Sequence, residues 1–244
     1  MGMNDFIEFF RGMSGKISSN VLAGVQGQAS PQNISFMRQL EKEARKKDDL
    51  NCPLDQLDVV VFDIETTGFF PDKGDQMISI GAVKMHGCEI LTEESFYSLI
   101  KTDIPLSPEI TSLTNITDEE LQAAPESSDV LMNFVKFIST KSLVAHHSQH
   151  EQSFMHKLTW DVTRTKFQHR ILDTSFLTQL FNPASSSNAL EDLCAGCGIE
   201  IKNRHHALGD AFMTAHLWGY YLSKAQEAGF KNLSEIYNHI ARYR

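Results

Sequence analysis

The stretch VVVFDIETTG, Val59 to Gly68, constrains the fold more than any other part of the chain. A run of β-formers (Val59, Val60, Val61, Phe62) reads as a buried strand. At its end stand two carboxylates, Asp63 and Glu65, with one apolar residue between them. Residues two apart on a strand point to the same face. Like charges about 4 Å apart repel by roughly 4 kcal/mol at an effective dielectric of 20, so this pair needs an offsetting partner. A divalent cation with oxygen ligands is the commonest one. Thr66, Thr67 and Gly68 then turn the chain away and are expected to leave backbone N–H groups open to a phosphate or a nucleotide end. An arbitrary Asp-x-Glu pair is ordinarily a solvated strand edge. The apolar run before this one, and two further acidic segments, argue against that.

The second acidic segment is SLVAHHSQHEQSFM, Ser142 to Met155. Leu143, Val144 and Ala145 read as a short strand, and Glu151 opens an amphipathic helix whose apolar side includes Phe154, Met155 and Leu158. The third is RHHALGDAFMTAHLWGYYL, Arg204 to Leu222, with the spacing of a long buried helix. His205 precedes or begins that helix and Asp210 follows five residues on, which is not one helix face. His205 is therefore expected to project from the loop or first turn toward the place Asp210 faces.

These segments together resemble the DEDDh exonucleases, the DnaQ-like family of 3′–5′ exonucleases with a ribonuclease H-like fold, and in particular the proofreading epsilon-type exonuclease domain. FDIETTG is similar to the family's first motif and RHHALGDA to its third. SLTNITDEELQAAP (Ser112 to Pro125) resembles the segment usually read as L-x-G-I-T, with Asn115 at the Gly place, a residue that suits a left-handed turn. ILDTSFLTQLF (Ile171 to Phe181) resembles the family's D-T strand-to-helix segment, and NALEDLCAGCGI (Asn188 to Ile199) the helix before the third motif. The likeness runs from Leu57 to Ala225. One motif departs: where the family reads H-N-A-x-F-D, this chain has His147, His150 and Glu151 at the Asn, Phe and Asp places. Glutamate keeps the charge and adds a methylene.

The resemblance implies an α/β fold, a mixed five-stranded sheet flanked by helices. It implies a bridging role for Asp63 between two divalent ions, Mg²⁺ or Mn²⁺, with Glu65 and Asp210 on the tighter ion and Glu151 near the second. His205 would be the general base. Thr66, Thr67, Gly68 and His146 would meet the substrate, His146 with a structural task as the motif's own histidine. The activity implied is release of nucleoside monophosphates from the 3′ ends of single-stranded or frayed DNA. The alternatives are an RNA substrate, or a catalytically weak module that binds nucleic-acid ends.

Composition is in keeping with one sizeable core: the 244 residues are 41% hydrophobic. No apolar run approaches the roughly 18 residues of a membrane span. Asp5 and Glu8, without a basic n-region, argue against a signal peptide. The four cysteines fit a reducing cytoplasm, and Cys194 and Cys197 read as core thiols at helical spacing rather than a redox or metal pair. The net charge of −9 opposes broad charge-driven binding to duplex nucleic acid. Arg164, Lys166 and Arg170, and Lys202 with Arg204, are candidates to line the approach of a strand, with a solvated face as the default reading. The histidines around the second motif match no closed zinc pattern.

Residues 1–54 read as a helical extension and linker, and 55–244 as the catalytic domain with a C-terminal helix. In the extension, Phe6, Phe9, Phe10 and Met13 share a face, and Ile34 to Leu50 reads as a charged helix. Such a helix packs on its own domain or docks a polymerase or other replication or repair protein; the first is the expected case.

Overall fold

The computed structural model describes residues 30–44, 46–47, 49–182 and 188–242. The Phe6–Met13 face and the linker after it lie outside these. Five strands form one sheet: β1 (Asp58–Thr66), β2 (Met77–His86), β3 (Glu89–Leu99), β4 (Ser142–Ala145) and β5 (Ile171–Asp173), in the order β3-β2-β1-β4-β5. β1 pairs antiparallel with β2, and β2 with β3; β1 pairs parallel with β4, and β4 with β5. The described helices are α1 (Pro31–Ala44), α2 (Pro108–Thr114), α3 (Asp118–Gln122), α4 (Ser127–Ile138), α5 (Gln149–Thr163), α6 (Ser175–Phe181), α7 (Leu190–Gly196), α8 (Ala207–Glu227) and α9 (Leu233–Arg242). This is the mixed sheet flanked by helices that the sequence leads one to expect. No described helix is long and apolar enough to cross a membrane.

The period of two along β1 divides the molecule into two cores. Val60, Phe62 and Ile64 enter one core, with Phe134 of α4, Phe154 of α5 and Met37 of α1. Val59 and Val61 enter the other, with Leu217, Trp218 and Tyr221 of α8 and Leu193 of α7. Each of these side chains, fully buried, contributes about 1.5–3 kcal/mol relative to exposure. Asp63 and Glu65 continue the Val59–Val61 row, so they extend toward the side that α8 covers.

Helix α1 starts at Pro31 and ends at Ala44, earlier at both ends than the expected Ile34 to Leu50. Proline suits a first helical position, where its missing N–H is not needed, and Ser30 Oγ accepts the Asn33 N–H at 3.2 Å. Beyond the helix, Asp49 accepts a hydrogen bond from the Ser142 hydroxyl at 2.6 Å and is buried there. Met37, Ile34 and Leu40 of α1 pack on the α4–α5 core, so its apolar face is spent at home. Helix α2 was not anticipated as a helix, although its left-handed C-cap, Asn115 (φ 57°), was. Proline at its start and a Ser107 cap carry it.

Gly81 on β2 lies directly across from Asp63. A Cβ there would come within 2.1 Å of Leu208 N and 2.4 Å of the Ala207 carbonyl carbon. The bare glycine thus lets the first turn of α8 press on the sheet beside Asp63. Gly81→Ala is expected to destabilise the protein by about 1–3 kcal/mol through overpacking. Urea denaturation measures it, and an unchanged midpoint would show that α8 does not depend on this contact.

Candidate active site

The carboxylates come from three elements. Asp63 and Glu65 stand at the end of β1, and Asp210 in the first turn of α8. One ligand oxygen from each lies within 4.8 Å of the others. Among the described residues no other group of His, Cys, Asp or Glu side chains offers three such atoms. Glu151, in the first turn of α5, stands outside this trio, but its charge acts on Asp63. Residues that the sequence separates by up to 147 positions (210 minus 63) therefore share one pocket.

The electrostatics follow from crowding acids away from water. Burial pushes Asp63 well above the usual carboxylate range, and the charges of Asp210, Glu151 and Glu65 push it further. Burial, then Asp210, raises Glu65 to about 8. Burial raises Glu151 to about 8, with Asp173 adding to the shift and its own backbone N–H opposing it. Burial raises Asp210 to about 6, against the pull of Arg204 and the His205 N–H. Asp210 Oδ1 and Glu151 Oε2 are buried with no hydrogen-bond partner among the described residues. An orphaned carboxylate oxygen in such a place is costly. Hard oxygen donors, unpartnered and gathered, fit a divalent cation of the Mg²⁺ or Mn²⁺ kind.

Local devices hold each acid. Asp173, at the end of β5, accepts the Ser148 N–H at 2.6 Å on Oδ2 and the Ser175 N–H at 2.8 Å on Oδ1. It thereby fixes the start of α5, from which Glu151 projects, to the start of α6. The D-T segment was noticed in the sequence, but nothing there marks this bond between distant segments. Asp210 Oδ2 accepts the His205 backbone N–H at 3.1 Å and the Arg204 Nη1. Arg204 reads from the sequence as a solvated cation or a candidate for the strand's approach; instead it turns inward and its Nε binds Glu191 at 2.6 Å.

His205 occupies the left-handed region (φ 60°), uncommon for a side chain of its size. That turn aims its N–H at Asp210 while the imidazole stays half-buried outside the carboxylate trio. Burial, then Arg204, lowers its pKa below the ordinary imidazole value, against the opposing charge of Glu191.

The residues expected to meet a substrate divide. Thr67 donates its backbone N–H to the Gln76 carbonyl at 2.9 Å, so this N–H is engaged rather than open to a phosphate. The Thr66 hydroxyl donates to Gly68 O at 2.6 Å. Gly68 lies so close to Asp75 that a Cβ would meet its carboxylate at 2.4 Å. His146 has both ring nitrogens occupied: Nε2–H donates to Asn188 O and the Thr174 hydroxyl donates to Nδ1, each at 2.7 Å. These bonds tie the end of β4 to Thr174 and to the segment before α7. His147 reaches the same Asn188 carbonyl at 3.0 Å. Phe69, directly after the first motif, was overlooked; it is 78% exposed and its ring centroid lies 5.9 Å from that of His150. Cys194 is buried and Cys197 half-buried in the α8 core, as expected of packing thiols.

A β1-centred mixed sheet with acids at the end of its middle strand defines a nuclease-type α/β fold. The comparisons agree. The exonuclease family model RNase_T matches residues 60–218, and the chain belongs to that family. It is 34% identical over 182 residues to a DNA polymerase III PolC-type protein of Clostridium perfringens, covering 73% of this chain and 12% of that protein. It is 30% identical over 193 residues to a DNA polymerase III subunit epsilon-like protein of Rhodobacter capsulatus, covering 78% of this chain and 27% of that one. The chain thus spans a small part of these relatives. In fold it is similar to the nuclease domain of 3′hExo, a DEDDh family member, bound to rAMP (TM-score 0.60, 18% identity, 70% of this chain and 92% of that one). It is also similar to E. coli exonuclease I in complex with a dT13 oligonucleotide (TM-score 0.59, 16% identity, 71% and 42%).

The raised carboxyls carry a pH dependence. The folded chain binds more protons than the unfolded one above the ordinary carboxylate range of about 4. The stability they contribute is full below that range and is lost as pH rises, through about 6 for Asp210 and about 8 for Glu65 and Glu151. In EDTA the melting temperature should fall between about pH 5 and pH 8, and Mn²⁺ should raise it more at pH 8 than at pH 6. Scanning fluorimetry reads both; an Mn²⁺ effect independent of pH would disconnect the ion from these acids.

Proposed function

We propose that this chain is a 3′–5′ exonuclease that hydrolyses phosphodiester bonds at the 3′ end of single-stranded DNA and releases nucleoside 5′-monophosphates. The observation that carries the reading is the gathering of Asp63, Glu65 and Asp210 within 4.8 Å, with orphaned oxygens on Asp210 and Glu151. The charges of Asp210, Glu151 and Glu65 all act on Asp63, which supports Asp63 as the ligand that two divalent ions, Mg²⁺ or Mn²⁺, would share. Glu65 and Asp210 would complete one ion site. Glu151, apart from the trio, would serve the other. Such a pair of ions supplies water activation and neutralises charge on the leaving 3′ oxygen.

The remaining work falls to the chain's own groups. The half-buried His205 imidazole, its pKa lowered by burial, would take the proton of the attacking water, a contribution of roughly 10²–10⁴-fold. The exposed Phe69 ring offers a face on which a terminal base can stack, which favours an unpaired end. Thr66 and Gly68 line the turn next to it. The net charge of −9 is compatible with gripping a terminus and unfavourable to coating a duplex. The polymerase relatives favour DNA and a replication or repair partner. The fold likeness to a nuclease bound to rAMP makes RNA the competing substrate.

Paired 5′-labelled DNA and RNA oligomers, incubated with Mg²⁺ or Mn²⁺, test this. Shortening from the 3′ end with release of mononucleotides, faster on DNA, is the expected result; internal cleavage or no cleavage refutes it. Asp63→Ala should abolish turnover. His205→Ala should lower kcat by about 10²–10⁴-fold with little change in KM, and an unaltered pH–rate profile would exclude it as the base. Glu151→Asp should retain catalysis at a rate lowered by up to about a hundredfold, since about 1 Å of displacement costs that much. Loss as complete as in Asp63→Ala would show that the longer acid is required.

A further inference from the structure

Asp210 offers its two oxygens to different partners. Oδ2 accepts both the Arg204 guanidinium and the His205 N–H, whereas Oδ1 is buried and without a partner. A carboxylate's last torsion is soft, so the side chain alone does not decide which oxygen faces the pocket. Two donors on one oxygen do decide it. The guanidinium is in turn held at its Nε by Glu191 Oε1 at 2.6 Å, from the first turn of α7. Glu191 and Arg204 side chains are 36% and 27% exposed, while that of Asp210 is 4% exposed. The row therefore runs inward from the surface to the pocket. The guanidinium charge also acts on Asp63 and Glu65.

We propose that Glu191 and Arg204 form a positioning relay: Glu191 orients the Arg204 guanidinium, which locks Asp210 so that Oδ1 is presented to a divalent cation. In this relay Arg204 touches neither substrate nor ion and positions Asp210, while Asp63 and Glu65 also feel its charge. Partners that orient a metal ligand typically affect affinity by about 10–100-fold. The planar fork, with its two donors at a fixed angle, is what spans Glu191 and Asp210 together; a lysine carries the charge without the fork. The inference rests on the reading that the acidic cluster binds a divalent ion.

The test is Mn²⁺ binding to the full chain by titration calorimetry, with no nucleic acid present. Arg204→Gln should weaken Mn²⁺ binding at least about tenfold. Glu191→Gln should weaken it by a smaller factor. The double variant should match Arg204→Gln within about twofold, because Glu191 orients Asp210 through Arg204 and its own charge acts on Asp210 only weakly beside that. Arg204→Lys should recover less than the full affinity, and the KM for an oligonucleotide should stay near wild type while kcat at limiting Mn²⁺ falls.

Unchanged or tighter Mn²⁺ binding in Arg204→Gln overturns the relay, as does a raised KM with unchanged Mn²⁺ affinity, which would make Arg204 a strand contact. Additive losses in the double variant overturn it too. Should Arg204→Gln fail to fold in EDTA by circular dichroism, the partly exposed Glu191→Gln decides alone: wild-type affinity there overturns the relay. Asp63→Ala separates the two levels. If the wild type binds no Mn²⁺, or Asp63→Ala binds it as the wild type does, the metal reading itself fails; if only the Arg204 and Glu191 variants behave as wild type, the relay alone fails.

Discussion

Repulsion among acids that have been taken out of water governs this molecule. Asp63, Glu65 and Asp210 converge to within 4.8 Å, and Glu151 adds its charge from the start of α5. At such separations each pair costs several kcal/mol unless something positive intervenes. Arg204 answers part of this from within the protein. The orphaned oxygens of Asp210 and Glu151 show that the rest is not answered by side chains among the described residues. The scaffold must hold together what electrostatics would separate. Two apolar cores, one on each face of β1, supply that force.

The same logic explains why the site is built on stiff elements. β1 is flanked on both sides and cannot shift without breaking two ladders. α8 meets the sheet so closely that only glycine fits at position 81. Asp173 couples the beginnings of α5 and α6 through backbone N–H groups, so the segment carrying Glu151 is tied to β5. Each acid thus hangs from an element whose position is fixed by contacts elsewhere. A loop-borne cluster of the same charge would spread apart.

Much of this was legible in the sequence where periodicity carries the signal. The β1 run, the long α8 pattern and the two acids spaced by two residues gave strands, helix and shared face correctly. The family's motifs led to Asp210 and Glu151, which periodicity alone could not bring together. What stayed hidden depends on partners remote along the chain. Arg204 looked like a surface cation because nothing local shows that Glu191 and Asp210 lie on either side of it. The Thr67 N–H looked open because its acceptor, Gln76, lies beyond the turn, just before the returning strand β2. His146 gave no sign of Asn188 and Thr174. Helix α2 is too short for its period to stand out, and the charge pattern of Ile34 to Leu50 does not mark the ends of α1, which begins at Pro31 and stops at Ala44.

The order of the pocket's parts along the chain has a consequence for its birth. Asp63 and Glu65 emerge first during synthesis, Glu151 much later, and Asp210 only with α8. Until α8 has left the ribosome and docked against Gly81, the nascent polypeptide carries scattered acids rather than an assembled centre. The carboxylate cluster is therefore assembled only once α8 is in place, after the segments that carry the other acids have been made.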